Sequence, residues 1–199
     1  MGVSRAGGDA GRVIAGTARG IRLEAPGQGT RPLGDRVKEA LFAILDPDLP
    51  GSRVLDLFAG SGAAGIEALS RGAREAVFVD RDAAAVRVIR GNLERTGLAA
   101  AAAVHRADGI RWLTTTAGSG AAFDIAILDP PYIDRDLLGR ALEILATTSG
   151  PLAPGARVVA KHFWRDGPPA TIGLLASERE RRFGETALTF YRRQEDGSG

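Results

Sequence analysis

Val54-Leu55-Asp56-Leu57-Phe58-Ala59-Gly60-Ser61-Gly62-Ala63-Ala64-Gly65 runs from a short apolar segment through a glycine-spaced loop, and Ile66-Glu67-Ala68-Leu69 then starts a helical pattern. The order is strand, glycine loop, helix. Glycine serves where a backbone turns tightly or must approach a ligand closely, and the first turn of a helix carries N–H groups without partners inside the helix. Gly60, Gly62 and Gly65 satisfy G-x-G-x-x-G, which taken alone is a weak sign of a dinucleotide site. Further along, strands near 75–80, 101–106 and 123–129 alternate with helices near 63–71, 82–96 and 134–147. Such alternation predicts an α/β fold with a mostly parallel, doubly wound sheet of Rossmann-like type.

The flanks complete this pattern. Residues 156–162 follow the turn Pro154-Gly155 as a further strand, and 178–183 with 186–192 flank Gly184-Glu185 as a closing antiparallel hairpin. Residues 114–122, all Thr, Ala, Gly and Ser, read as a flexible loop. Ahead of the glycine loop, 12–16 and 20–24 read as short strands around Thr17-Ala18-Arg19, an arginine-tipped hairpin suited to gripping RNA. Val37, Leu41, Ile44 and Leu45 recur at helical spacing after a candidate cap at Asp35, which predicts an amphipathic helix over 36–45. Residues 1–11 and 195–199 read as disordered tails.

A chain of 199 residues is long enough for one sizeable core. No apolar run nears the roughly 20 residues of a membrane span. The N-terminus has no hydrophobic signal segment, and a cytoplasmic location is expected. Without cysteine the chain has no disulfides, thiolate nucleophile or cysteine-built zinc site, and His105 and His162 are too isolated to suggest a metal. The net charge is only +2, yet residues 1–36 carry Arg5, Arg12, Arg19, Arg22, Arg31 and Arg36 against Asp9, Glu24 and Asp35. This local excess suits a phosphate backbone, and it also fits a solvated surface in a chain that uses arginine almost to the exclusion of lysine.

A second motif closes the apolar run at 123–128. Asp129-Pro130-Pro131-Tyr132 places a carboxylate before two residues that lack an N–H, with an aromatic ring beyond them. Acceptors and a flat ring suit a planar molecule with an exocyclic NH2, such as a nucleobase; the alternative is simple punctuation of a strand end. In open α/β sheets ligands bind beyond the carboxyl ends of the strands, where this group falls. Asp80 ends the next apolar strand about 20 residues after the glycine loop, where an acid commonly accepts the two ribose hydroxyls. Asp56 lies inside the first strand, where a nicotinamide-binding strand stays apolar and where a carboxylate can meet a cationic methionine group. S-adenosylmethionine is therefore the preferred ligand, although each acid taken singly also reads as a cap or a solvated strand end.

With these residues in view, the chain resembles the bacterial small-subunit ribosomal RNA guanine-N2 methyltransferases of the RsmD type over roughly residues 12–193. The resemblance rests on Arg12-Val13-Ile14-Ala15-Gly16, Thr30-Arg31-Pro32, Asp35-Arg36-Val37-Lys38-Glu39-Ala40-Leu41-Phe42, Asp56-Leu57-Phe58-Ala59-Gly60-Ser61-Gly62, Glu67-Ala68-Leu69-Ser70-Arg71-Gly72 and Asp129-Pro130-Pro131-Tyr132. It implies S-adenosylmethionine as donor and a guanine of 16S rRNA as acceptor, methylated on N2 in an assembled or partly assembled small subunit by a monomeric enzyme. It also implies an RNA-binding hairpin and helix over 12–48 and a methyltransferase domain over 49–194. One departure is visible. Where the family usually carries a glutamate after Arg157-Val158-Val159, this chain has Ala160-Lys161, and Lys161 is open to meeting a phosphate or pairing with a neighbour.

Under this reading Asp129, Pro130 and Tyr132 are catalytic. Asp129 and the Pro130 carbonyl would accept from the amine, and Tyr132 would stack on a base taken out of its helix. Asp56, Phe58, Gly60, Ser61, Gly62, Asp80, Arg81, Asp108, Gly109 and Asp129 would hold the cofactor, with Asp108 either accepting from the adenine amine or capping a helix. Arg12, Arg19, Arg31, Arg36 and Tyr132 would meet RNA, while Arg36 is equally placed to pair with Glu39 or Asp35. Three rivals stand beside this reading. An amino-methyltransferase acting on DNA adenine or cytosine normally carries a target-recognition domain for which this chain has no room. A protein glutamine methyltransferase would favour Asn over Asp129, and a non-enzymatic RNA-binding assembly factor would not need Asp129.

Overall fold

The structure, a computed structural model, describes residues 8–27, 34–120, 122–131 and 134–195. Parallel strands β3 (Arg53–Leu57), β4 (Glu75–Asp80), β5 (Ala102–Arg106), β6 (Phe123–Leu128) and β7 (Leu152–Phe163) are joined by helices α2 (Ala63–Ser70), α3 (Ala83–Thr96), α4 (Gly109–Thr116) and α5 (Arg135–Leu145). Beyond β7 come β8 (Thr171–Ile172), β9 (Leu175–Phe183) and β10 (Thr186–Arg193), with β10 antiparallel between β7 and β9. The order across the sheet is β5-β4-β3-β6-β7-β10-β9-β8. This is the doubly wound sheet with its closing hairpin that the alternation predicts. The order turns back between β3 and β6, which opens a crevice at their carboxyl ends.

Strand alternation sorts the apolar residues into two layers. Val54, Phe78, Ile127 and Val159 pack with α2, α3 and α1 (Asp35–Leu45), while Leu55, Val77, Ala126 and Val158 pack with α4 and α5. The central strands are apolar on both faces because both are covered. No helix among the described residues is long and apolar enough to cross a membrane.

The N-terminal hairpin differs from its expected form. Strand β1 (Gly8–Arg12) pairs with β2 (Arg22–Ala25) through Gly8↔Ala25, Asp9↔Glu24 and Arg12↔Arg22. Residues 8–11 therefore belong to the hairpin and not to a disordered tail, because Ala10 is buried in the core and Asp9 holds Arg22 at 3.2 Å. The expected strand over 12–16 is instead a turn captured by α2. Glu67 accepts from Ile14 N at 2.8 Å and Ala15 N at 3.0 Å, while Ser70 accepts from Thr17 N through its carbonyl and from Ala18 N through its hydroxyl. Every residue of α2 is consequently buried, by the sheet on one side and the hairpin on the other.

Two further expectations change. Asp35 is the first residue of α1 and not its cap: it pairs with Lys38 at 3.5 Å and Arg12 at 3.6 Å, and Gly34 precedes the helix without a side-chain bond. Thr114, Thr115 and Thr116 extend α4 rather than beginning a loop, since the Thr114 and Thr115 hydroxyls bond back to the carbonyls of Ile110 and Trp112.

Candidate active site

Asp56, Asp80, Asp129 and Lys161 each stand two residues beyond a member of the α1–α3 layer, so the two-residue period of a strand turns all four toward one face at the carboxyl end of the sheet. The glycine loop lies above them. Asp56 is almost fully buried, and its Oδ2 accepts from Gly65 N at 2.8 Å in the first turn of α2. A Cβ on Gly65 would stand 2.3 Å from the Phe78 ring and 3.1 Å from that oxygen, so the third glycine of the motif is needed for helix-to-sheet packing. Burial pushes the Asp56 carboxyl up to about 8, against the pull of the Gly65 N–H and with added repulsion from Asp129 and Asp80.

Asp80 shapes the loop from the neighbouring strand. Its Oδ2 accepts from Gly60 N and its Oδ1 from Asp82 N, both at 2.8 Å. Each oxygen keeps a second lone pair for a hydroxyl donor. Gly62 takes φ 75° at the start of α2, and Phe58 holds φ 64°, a strained value for a residue with a side chain. The Phe58 ring lies against Gly109, where a Cβ would come within 2.6 Å of Cε1. Asp108 caps α4, its Oδ1 accepting from Arg111 N at 3.0 Å, and Arg81 is exposed.

Asp129 follows β6 directly. Lys161, the first residue past its ladder with Ala160, reaches across from β7 to Asp129 Oδ1 at 2.6 Å. Burial raises the Asp129 carboxyl above the ordinary range and Lys161 opposes that rise. Of the two readings of Lys161 left open by the sequence, pairing with a neighbouring acid is the one observed. Pro130 is buried behind the carboxylate, while Tyr132, like Arg31, lies outside the described residues.

Among the described residues expected to meet RNA, Arg12, Arg19 and Arg36 do not line this crevice. Arg19 is exposed on the turn held by Ser70, at the far end of α2 from Gly62; eight helical residues span about 12 Å. Arg12 pairs with Asp35, and Arg36 is exposed on α1. A different cationic group does stand at the carboxyl end. Past Lys161, Trp164 carries the Arg182 guanidinium 3.6 Å above its ring centroid and that of Arg165 at 4.8 Å. The pairing of Phe163 with Thr186, and of Thr186 with Phe183, brings the end of β9 to this rim.

A family model described as conserved hypothetical protein 95 matches residues 11–192. The chain belongs to the conserved hypothetical protein 95 family. It is 35% identical to the ribosomal RNA small subunit methyltransferase D of Escherichia coli strain K12, across 94% of this chain and 91% of that protein. The solved structure of Escherichia coli yhhF, assigned as a methyltransferase, superposes with a TM-score of 0.82 at 32% identity, covering 95% of this chain and all of that one. An RNA methyltransferase from Salinibacter ruber, solved with S-adenosyl-L-homocysteine, shares the fold at 18% identity and a TM-score of 0.61, over 83% of this chain and 95% of that one.

The span that matches the conserved hypothetical protein 95 family takes in the hairpin turn as well as the sheet, and in this chain hydrogen bonds join that turn to α2. Asn92, buried on α3, donates to Ser61 O and Glu24 O at 2.9 Å each and accepts from Glu24 N at 2.9 Å. Sequence reasoning missed Glu67, Ser70 and Asn92 as connectors. The signal was available in Glu67 and Ser70, polar residues three apart in an otherwise small and apolar helix.

Proposed function

We propose that this protein transfers the methyl group of S-adenosylmethionine to the exocyclic N2 of one guanine in 16S rRNA, acting as a monomer on an assembled or partly assembled small subunit. The observation that carries the reading is Asp129, an acid with a buried proline behind it, one strand from the Gly60–Gly62 loop and on the same face as Asp56 and Asp80. Membership of a family with rRNA methyltransferases among its relatives supports the substrate class.

The residues present fit the cofactor. The loop offers backbone without side-chain bulk, Asp80 retains lone pairs for the ribose hydroxyls, and the buried Asp56 suits a cationic methionine group. Asp108, whose Oδ1 caps α4, keeps Oδ2 as an acceptor for the adenine amine. When bound, S-adenosylmethionine supplies a methyl on a sulfonium that N2 displaces directly, sulfur keeping the electron pair. The lone pair of N2 is delocalised into the guanine ring, so Asp129 and the Pro130 carbonyl act by accepting its hydrogens and drawing it toward a tetrahedral shape. The proton that N2 must shed becomes acidic only after transfer, and Asp129 or water takes it. Tyr132 stacks on the flipped base. Orientation and electrostatics supply most of the rate. Arg165 and Arg182 on Trp164, together with Arg12, Arg31 and Arg36, are the contacts assigned to the phosphate backbone.

Purified protein incubated with methyl-labelled S-adenosylmethionine and, separately, small subunits, stripped small-subunit RNA and duplex DNA tests the reading. Label recovered as N2-methylguanine from small subunits or their RNA is expected. Label in DNA adenine or cytosine would replace the substrate, and label in none would favour a non-enzymatic assembly role.

A further inference from the structure

Four titratable groups converge where β3, β4, β6 and β7 end. Asp129 faces Lys161 from β7 and Asp56 from β3, with Asp80 on β4 beyond Asp56. Burial raises the Asp129 carboxyl, and Lys161 opposes that rise by charge and by hydrogen bond, favouring the charged form. The ion pair is no solvated surface contact: the side chains of Lys161 and Asp129 are 11% and 23% exposed, and their atoms are 2.6 Å apart. Exposed pairs contribute little, whereas breaking a largely buried one leaves a charge without compensation.

We propose that Lys161 is a positioning residue for methyl transfer: its ammonium takes Oδ1 of Asp129 and leaves Oδ2 as the acceptor turned to the amine of the substrate. The inference rests on the reading of Asp129 as that acceptor. A carboxylate bound at one oxygen has a fixed plane, and a fixed plane is what an acceptor needs when it must meet a particular N–H direction. A protonated Asp129 would have one oxygen converted to a donor, which an NH2 group cannot use. The lysine thus acts on the reaction through Asp129 and need not touch the nucleobase.

The test compares wild type, Lys161→Met and Lys161→Arg for turnover on small subunits across pH, for affinity toward S-adenosylmethionine by calorimetry, and for the Asp129 midpoint by 13C NMR titration assigned with Asp129→Asn. Lys161→Gln serves as the neutral variant if the methionine form does not fold. Neutral replacement is expected to lower kcat about tenfold to a hundredfold. It should also move the acid limb of the kcat profile upward by about one pH unit or more, in step with the NMR midpoint. Cofactor affinity should stay within about twofold, and Lys161→Arg should restore both kcat and the profile. Unchanged kcat and pH profile in the neutral variant, with the wild type active, would overturn the inference alone. Equal loss of kcat and cofactor affinity would also overturn it, by marking a packing role. A wild type that modifies no form of the small subunit would overturn the parent reading and this inference with it.

Discussion

The side-chain amide of Asn92 lies 2.9 Å from the carbonyl of Ser61, and through the same amide Asn92 binds both backbone groups of Glu24. One buried residue therefore holds the glycine loop to the N-terminal hairpin. Replacing Asn92 with Ala leaves three backbone groups without that partner, at a cost of about 2–3 kcal/mol. Urea denaturation should register the loss. Calorimetry should register a weakening of S-adenosylmethionine binding by about fivefold to tenfold, on the order of 1 kcal/mol. Loss of stability with cofactor affinity intact would mean that the Ser61 bond does not shape the loop.

Asp56 makes stability depend on pH. Its carboxyl, ordinarily near 3.8, is raised to about 8, so the folded protein keeps a proton there that the unfolded chain has released. The stabilisation is complete below the unfolded value and disappears as pH rises through the folded one, so stability falls from about pH 4 to about pH 8, at most by about 1.4 kcal/mol per unit from this group. Asp129 adds a change of the same sign. Asp56→Asn keeps an acceptor for Gly65 N and removes the titration. Denaturation midpoints at pH 5, 6.5 and 8 should show a flatter slope for the variant, and parallel slopes would contradict the assignment.

Gly16 has φ 82°, and a Cβ there would stand 1.7 Å from Ser70 O. Gly16→Ala must therefore displace the turn from α2. A cost of at least about 2 kcal/mol is expected, a fall in Tm of about 4–8 °C for a chain of this length. An unshifted Tm would show that the turn can leave the helix freely.

The cluster at Trp164 has a separate signature. If the Arg182 and Arg165 guanidinium groups meet phosphate, Arg182→Ala should raise KM for small subunits several-fold and reduce the slope of log KM against log salt by about one. Cofactor affinity should not move. An unaltered salt slope would remove the cluster from the RNA-binding surface.

The sequence carries the central sheet plainly because β3, β4 and β6 are mostly apolar and the crossing helices α3 and α5 are amphipathic. The glycine loop and the Asp129 motif were legible because local chemistry dictates them: Gly65 is fixed by Phe78, and Asp129 by its place at a strand end. What local patterns could not carry are the bonds that span the chain. Nothing near Ile14 announces that Glu67 will take its amide, so 12–16 reads as a strand and is a captured turn. Lys161 could be marked as a departure, but its partner depends on the register of β6 with β7.

The docking of the hairpin on α2 has a consequence for synthesis. Ile14 and Glu67 are 53 residues apart, and Glu24 and Asn92 are 68 apart. Residues 8–25 leave the ribosome ahead of the groups that seat them, which emerge tens of residues later. Two short strands are marginal by themselves. A segment made ahead of its partners thus settles only after them, and Asn92 links the glycine loop to the hairpin only once that segment has docked.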